Sequence, residues 1–342
     1  MHMSAPEFDS ATERFSLGET DPILAHASMP LQHTYFPLGF PLSLSTNSHS
    51  LHSAALQSWG KFQQAFSTLP LTLRIGVTDE RSRSPFLPCA PVCKLQGHLL
   101  SNIADADNFV ICDLNGGYSF GWLTPQTAES IPYSRYHILE AAALSMVAAL
   151  RAAPLHAACV SAAGHGMLLC GDSGAGKTSL ALAGVLTGWS FTSDDASYLP
   201  IGRSDRMIVG NCHQLRLRES GVQLFPEFAG RAVTPRATGK PSIEIPTEDL
   251  PLLLTSESAM IEYIIFLNRR SERTPGLYSF SKEVASSYFS QSLFSTTKSH
   301  PAQKAALHHL LEVGIYELCY TDLGWAVQRL HTLSVTGKAG DR

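Results

Sequence analysis

The chain has 342 residues, 44% hydrophobic and 16% charged, with 16 Phe, 10 Tyr and 4 Trp, enough length for two ordinary domains and enough apolar material for a large core. A formal charge of -4 with no basic run excludes a nucleic-acid partner, whose backbone demands clustered cations. No stretch approaches the roughly 20 apolar residues that span a bilayer, and the opening MHMSAPEFDSATERF has neither a basic nor an apolar leader region, so the expectation is a cytoplasmic protein without a membrane partner.

Residues 1–30 are polar and aperiodic and are expected to form a flexible arm. Over 31–132 the alternating runs PLSLST, LTLRIGV, KLQGHLLSNIA, FVICDL and YSFGWL predict strands, and SAALQSWGKFQQAF predicts one amphipathic helix, which together define an α+β amino-terminal domain. Asn115-Gly116-Gly117 predicts a hairpin between the last two strands. Over 133–153, RYHILEAAALSMVAALRAA repeats apolar residues at helical spacing and stops before Pro154, which predicts a connecting helix. Seven scattered cysteines, an odd number mostly within apolar runs, fit reduced thiols, and Cys89 and Cys93 lack the second pair that a zinc site would need.

From 154 to 342 the pattern changes to strand, Gly-rich turn, helix and strand, the signature of an α/β domain. LHAACVSA reads as one strand, and Met167 to Cys170 as the strand feeding GDSGAGKT. That octet, Gly171, Asp172, Ser173, Gly174, Ala175, Gly176, Lys177 and Thr178, satisfies G-x-x-x-x-G-K-[ST] in full. Glycines let consecutive amides turn inward as donors to phosphate oxygens at the positive end of the following helix. Lys177 can reach the outer phosphates, and the Thr178 hydroxyl can ligate magnesium, so ATP and Mg2+ are the expected cofactors.

The next strand, WSFTS, ends in Asp194-Asp195, and α/β folds put their chemistry just beyond the carboxyl ends of strands. One carboxylate there can take the proton of an attacking hydroxyl and the other can face the metal, while a histidine beside one tunes its proton affinity. His156, in LHAACV, is the candidate. His165, next to two glycines' worth of turn, reads by default as a turn position rather than a metal ligand.

Together LHAACV, LLCGDSGAGKT and SFTSDD resemble the catalytic domain of HPr kinase/phosphorylase, a family that shares its phosphate-loop core with PEP carboxykinase. The resemblance runs from about Leu155 to Leu333, densest in its first third, and takes in IEYIIFLNRR and YELCYTDLGWAVQRLHTL as a terminal strand and helix. It implies a kinase fold in which His156 partners Asp194, Asp194 is the base and Asp195 the metal-side acid. It also implies a homo-oligomer and a hydroxyl-bearing acceptor, a serine of a protein or peptide or a metabolite. The family's metal-associated Glu has Gln214 in its place here, and an amide does not carry that charge. Arg216 and Arg218 alternate and either steady phosphate charge from one strand face or stand as solvated surface groups, and Lys240, in TGKPSIEI, reads by default as a flexible-loop residue and otherwise as a cation for a phosphate or acceptor. The alternative reading is a nucleotide-responsive binding module that transfers nothing.

Overall fold

The computed structural model describes residues 28–78, 86–237, 240–269 and 272–339. The arm expected over 1–30 therefore lies, up to residue 27, outside the described residues. The architecture is mixed α/β with two large sheets, and among the described residues no helix is long and apolar enough to cross a membrane.

The first sheet is made of β1 (Leu31–Tyr35), β2 (Leu42–Thr46), β3 (Leu71–Val77), β4 (Val92–Gln96), β5 (Leu99–Ile103), β6 (Phe109–Asp113) and β7 (Tyr118–Leu123), in the order β1-β2-β3-β7-β6-β5-β4. Only β3 is parallel to its neighbours, because the helix His49–Trp59 carries the chain from β2 across to it. Ser48 caps that helix by accepting from Leu51 N–H, and Leu51, Ala54, Ala55 and Trp59 turn one face to the core. The helix stops at Trp59 rather than running on through KFQQAF: Gly60 follows, a poor helix former, and leaving the helix lets Phe66 stack on Phe40 with ring centroids 4.1 Å apart.

The connecting segment also differs from the expected single helix over 133–153. It is a π-helix, Ser134–Glu140, continued by an α-helix, Ala141–Leu150. It ends before residue 153 because Pro154 disfavours helical backbone in the residue before it, and Ala152 to Leu155 instead form a strand.

That strand opens the second sheet as β8 (Ala152–Leu155), followed by β9 (Ala157–Ala162), β10 (His165–Cys170), β11 (Ser190–Ser193), β12 (Ser197–Pro200) and β13 (Met207–Gly210). A separate three-stranded sheet, β14 (Gln214–Leu217), β15 (Val233–Thr234) and β16 (Ser242–Pro246), intervenes before β17 (Leu254–Thr255), β18 (Ser258–Asn268), β19 (Gly276–Ser279) and β20 (Gly314–Cys319) return to the large sheet. Its order is β17-β11-β9-β10-β18-β13-β12-β8, with β20 on β18 and β19 on β20. The long strand β18 runs parallel to both β10 and β20, and β10 together with the second half of β18 is apolar and buried, as strands covered on both faces must be. The predicted LHAACVSA strand is thus two strands: β8 pairs with β12, β9 with β10 and β11, and His156 stands alone at the break.

One apolar core joins the first sheet to the second, since Leu42, Leu73, Met146, Val147, Tyr198 and Val209 belong to the same buried cluster. A second packs the helix Lys177–Val185 and the helix Leu323–Thr336 against β9, β10 and β18.

Candidate active site

β10 ends at Cys170 and the chain turns through a glycine-rich loop into the helix Lys177–Val185. Gly171, Gly174 and Gly176 have φ of 143°, 94° and 103°, which side-chain-bearing residues rarely adopt. A Cβ on Gly176 would also stand 3.0 Å from the Tyr320 hydroxyl and 3.1 Å from Arg269. No side chain caps the helix, so the amides of its first turn keep their donors for a ligand.

The loop lysine is drawn inward. Lys177 is 5% exposed; its Nζ donates to Gly171 O at 2.7 Å and to His156 Nε2 at 2.9 Å and lies 3.7 Å from Asp195 Oδ1. Burial lowers its pKa and Asp195 opposes the shift. An ammonium only donates, so His156 Nε2 is the acceptor and the ring proton sits on Nδ1, 3.5 Å from Asp195 Oδ1. Burial, then Lys177, lowers the His156 pKa and favours the neutral ring. Tyr288, on the helix Lys282–Ser290, ties this corner together: its hydroxyl accepts from Gly171 N–H at 3.1 Å and lies 2.8 Å from His156 O and 2.9 Å from Gly171 O.

The two aspartates, in the bend that follows β11, face different surroundings. The expectation paired His156 with Asp194; the imidazole meets Asp195 instead. Asp195 is also 3.3 Å from Arg236 Nη2. Asp194 turns away from the glycine-rich loop, is 7% exposed and accepts from the Arg216 N–H at 2.6 Å. Burial raises its pKa to about 6 against the pull of Arg236.

Around the loop lies a cavity of about 160 Å³ into which Thr178 and the cations Lys177, Arg216, Arg218, Arg236 and Arg269 face, with Asp195 as the sole carboxylate among the described residues. On a chain of net charge -4 this is a concentrated positive site, suited to a polyanion. Arg218 Nη2 donates to Ser173 Oγ in the loop itself. Arg216 does not: its guanidinium is held by Ser242, Thr234, Tyr136 and Glu244, 2.6 Å away, and burial lowers its pKa to about 10. Gln214 accepts from Arg135 at 3.0 Å and lines a different cavity, and Lys240 is exposed and lines none of the cavities near the loop. His165 is paired with Glu262 at 2.8 Å on the surface, and among the described residues no cluster of three His, Cys, Asp or Glu side chains could hold a metal by itself.

Sequence reasoning did not find Arg236, Arg269 or Tyr288. Arg236 and Arg269 sit in short irregular segments, without periodicity to mark them, and Tyr288 lies more than a hundred residues beyond the loop it braces.

No protein-family model and no curated protein matches the chain. Among solved structures, the HPr(Ser) kinase/phosphatase from Coxiella burnetii is similar over 54% of this chain and 95% of its own, at 13% identity and a TM-score of 0.31. A likeness that slight carries no chemistry, and the functional reading rests on the residues themselves.

Proposed function

We propose that the chain is an ATP- and Mg2+-dependent phosphotransferase that moves the γ-phosphoryl group to an acceptor hydroxyl. The observation that carries this reading is the meeting of Lys177, His156 and Asp195 beside the uncapped amides of a complete phosphate loop. Amides of the loop, Lys177, Arg218, Arg236 and Arg269 bind the polyphosphate. Magnesium, when bound, neutralises charge on the β- and γ-oxygens; the Thr178 hydroxyl and the Asp195 carboxylate, hard oxygen donors in one cavity, fit such an ion.

In the transfer, the acceptor oxygen forms its bond to the γ-phosphorus as the bond to the β,γ-bridging oxygen breaks, and ADP leaves with that electron pair. Lys177 exchanges its contact with His156 for phosphate oxygens, which frees Nε2 to accept the hydroxyl proton, while Asp195 steadies the imidazolium through Nδ1. Both the His156 ring and Asp195 line the neighbouring cavity from which an acceptor would approach.

A second assignment keeps Asp194 as the base, and its pKa of about 6 favours it. The two are separated by labelled-ATP assays of His156→Asn, Asp195→Asn and Asp194→Asn. With His156 as base, the first falls at least about 100-fold in kcat, the range of a lost general base, at nearly constant Mg-ATP affinity. Asp194→Asn would then retain transfer, and loss confined to it moves the base to Asp194. Wild-type protein that binds Mg-ATP but leaves no stable labelled product with any acceptor is a nucleotide-responsive module instead.

A further inference from the structure

A second cavity, of about 400 Å³, lies against the first, and Asp195 is the one described side chain that lines both. Its walls come from three parts of the fold: Pro91, Cys93 and Asn102 in and just before the β4–β5 hairpin, His137 to Ala148 of the connecting helices, and His156, Asp195 and Tyr198 in and between strands of the second sheet. The contrast between the two spaces is chemical. Among the described residues, where the phosphate cavity gathers five cationic side chains, the lining of this one has no Lys, Arg or Glu, and Asp195 is its sole formally charged wall.

We propose that this cavity is the acceptor site and that it takes a small, uncharged hydroxyl compound with an apolar body, held by neutral hydrogen-bonding groups rather than by an ionic anchor. The inference rests on the phosphotransferase reading and adds the acceptor's class to it. Its volume falls within the range of small-molecule sites, which are mostly apolar with a few placed polar groups. Leu144, Ala141, Ala148, Leu155 and Phe294 supply the apolar surface. Asn102 supplies a polar group of the required kind: it is 5% exposed, lines the cavity, and carries an amide that both donates and accepts. His137 projects from the π-helix, a distortion that often marks functional positions, and desolvation favours its neutral ring, which both donates and accepts. An acceptor carrying a carboxylate or phosphate would find no cation among the described lining residues and would face Asp195.

The test uses the full chain, Mg2+, γ-labelled ATP and a matched pair of probes, benzyl alcohol and 4-(hydroxymethyl)benzoate, which differ by one carboxylate. The expected result is transfer to the neutral probe with kcat/KM at least about tenfold higher, the effect of some 1.4 kcal/mol. Cys93→Trp, on an exposed edge strand, and Ser145→Phe, from the opposite wall, should each raise the KM for benzyl alcohol at least about tenfold with an unchanged Kd for Mg-ATP. Equal or better transfer to the carboxylate, transfer confined to a protein or peptide, no transfer to either probe, or an unmoved KM in both variants overturns the inference. Failure to bind Mg-ATP at all, read by calorimetry on the same samples, overturns the phosphotransferase reading itself, so the two failures are told apart.

Discussion

Adjacent Asp194 and Asp195 have opposite surroundings and so opposite physics. Asp195 is a quarter exposed among Lys177, His156 and Arg236, whereas Asp194 is buried behind the Arg216 amide. Raising a carboxyl pKa from 3.8 to about 6 means the folded state binds its proton more tightly than the unfolded chain does. Asp194 therefore costs nothing below the unfolded value, and its cost grows as pH rises through that window, reaching roughly 3 kcal/mol above the folded value. Asp194→Asn should thus gain stability relative to wild type as pH is raised from 4 to 7; urea melts showing a pH-independent difference would contradict this. The Asp-Asp pair was legible in the sequence as two acids at a strand end. Their division of roles was not, because it depends on which acid faces the loop, and that is set by β14 packing across residue 194.

At the scale of elements, the strand, glycine turn and helix around Gly171–Thr178 could be read from spelling alone, since positive φ, an uncapped helix start and an apolar strand each leave a local mark. The split of LHAACVSA into β8 and β9 could not, because its cause is the separate partners β12, β10 and β11, contributed by later sequence. The same limit hid the fate of Arg216. It stands directly opposite Glu244 across β14 and β16, and Glu244 also accepts from Arg135 at 2.9 Å, so one carboxylate serves two guanidinium groups, each lying over the Tyr136 ring. Removing one partner of a buried pair leaves the other uncompensated. Glu244→Ala is expected to lose about 3–5 kcal/mol in denaturant unfolding, the usual consequence of such a deletion. A loss below about 1 kcal/mol would mean that Asp194 and Glu140 already balance Arg216.

For the molecule as a whole, the consequential feature is the shared core. Leu42 and Leu44 of the first sheet, Met146 and Val147 of the connecting helix, and Tyr198 and Val209 of the second sheet bury one another. The two sheets should therefore melt together, as a single calorimetric transition; two resolved transitions would refute the coupling. Ligand linkage gives the matching expectation for the site. At a hundredfold excess over Kd, Mg-ATP should stabilise the fold by about 2.7 kcal/mol, which for a chain of this size is a rise of several degrees in Tm. Lys177→Ala should abolish that rise. A rise that survives the substitution would place the nucleotide elsewhere.

The π-helix between the sheets adds a mechanical consequence. Its residues face different spaces: His137 borders the cavity next to His156, while Tyr136 and Glu140 border the one beside Asp194. Rewinding the segment by one residue would turn all three side chains together through about 100°. The walls on either side of the aspartate pair are in this sense geared to a common axle: a change in the winding of this segment would reshape both.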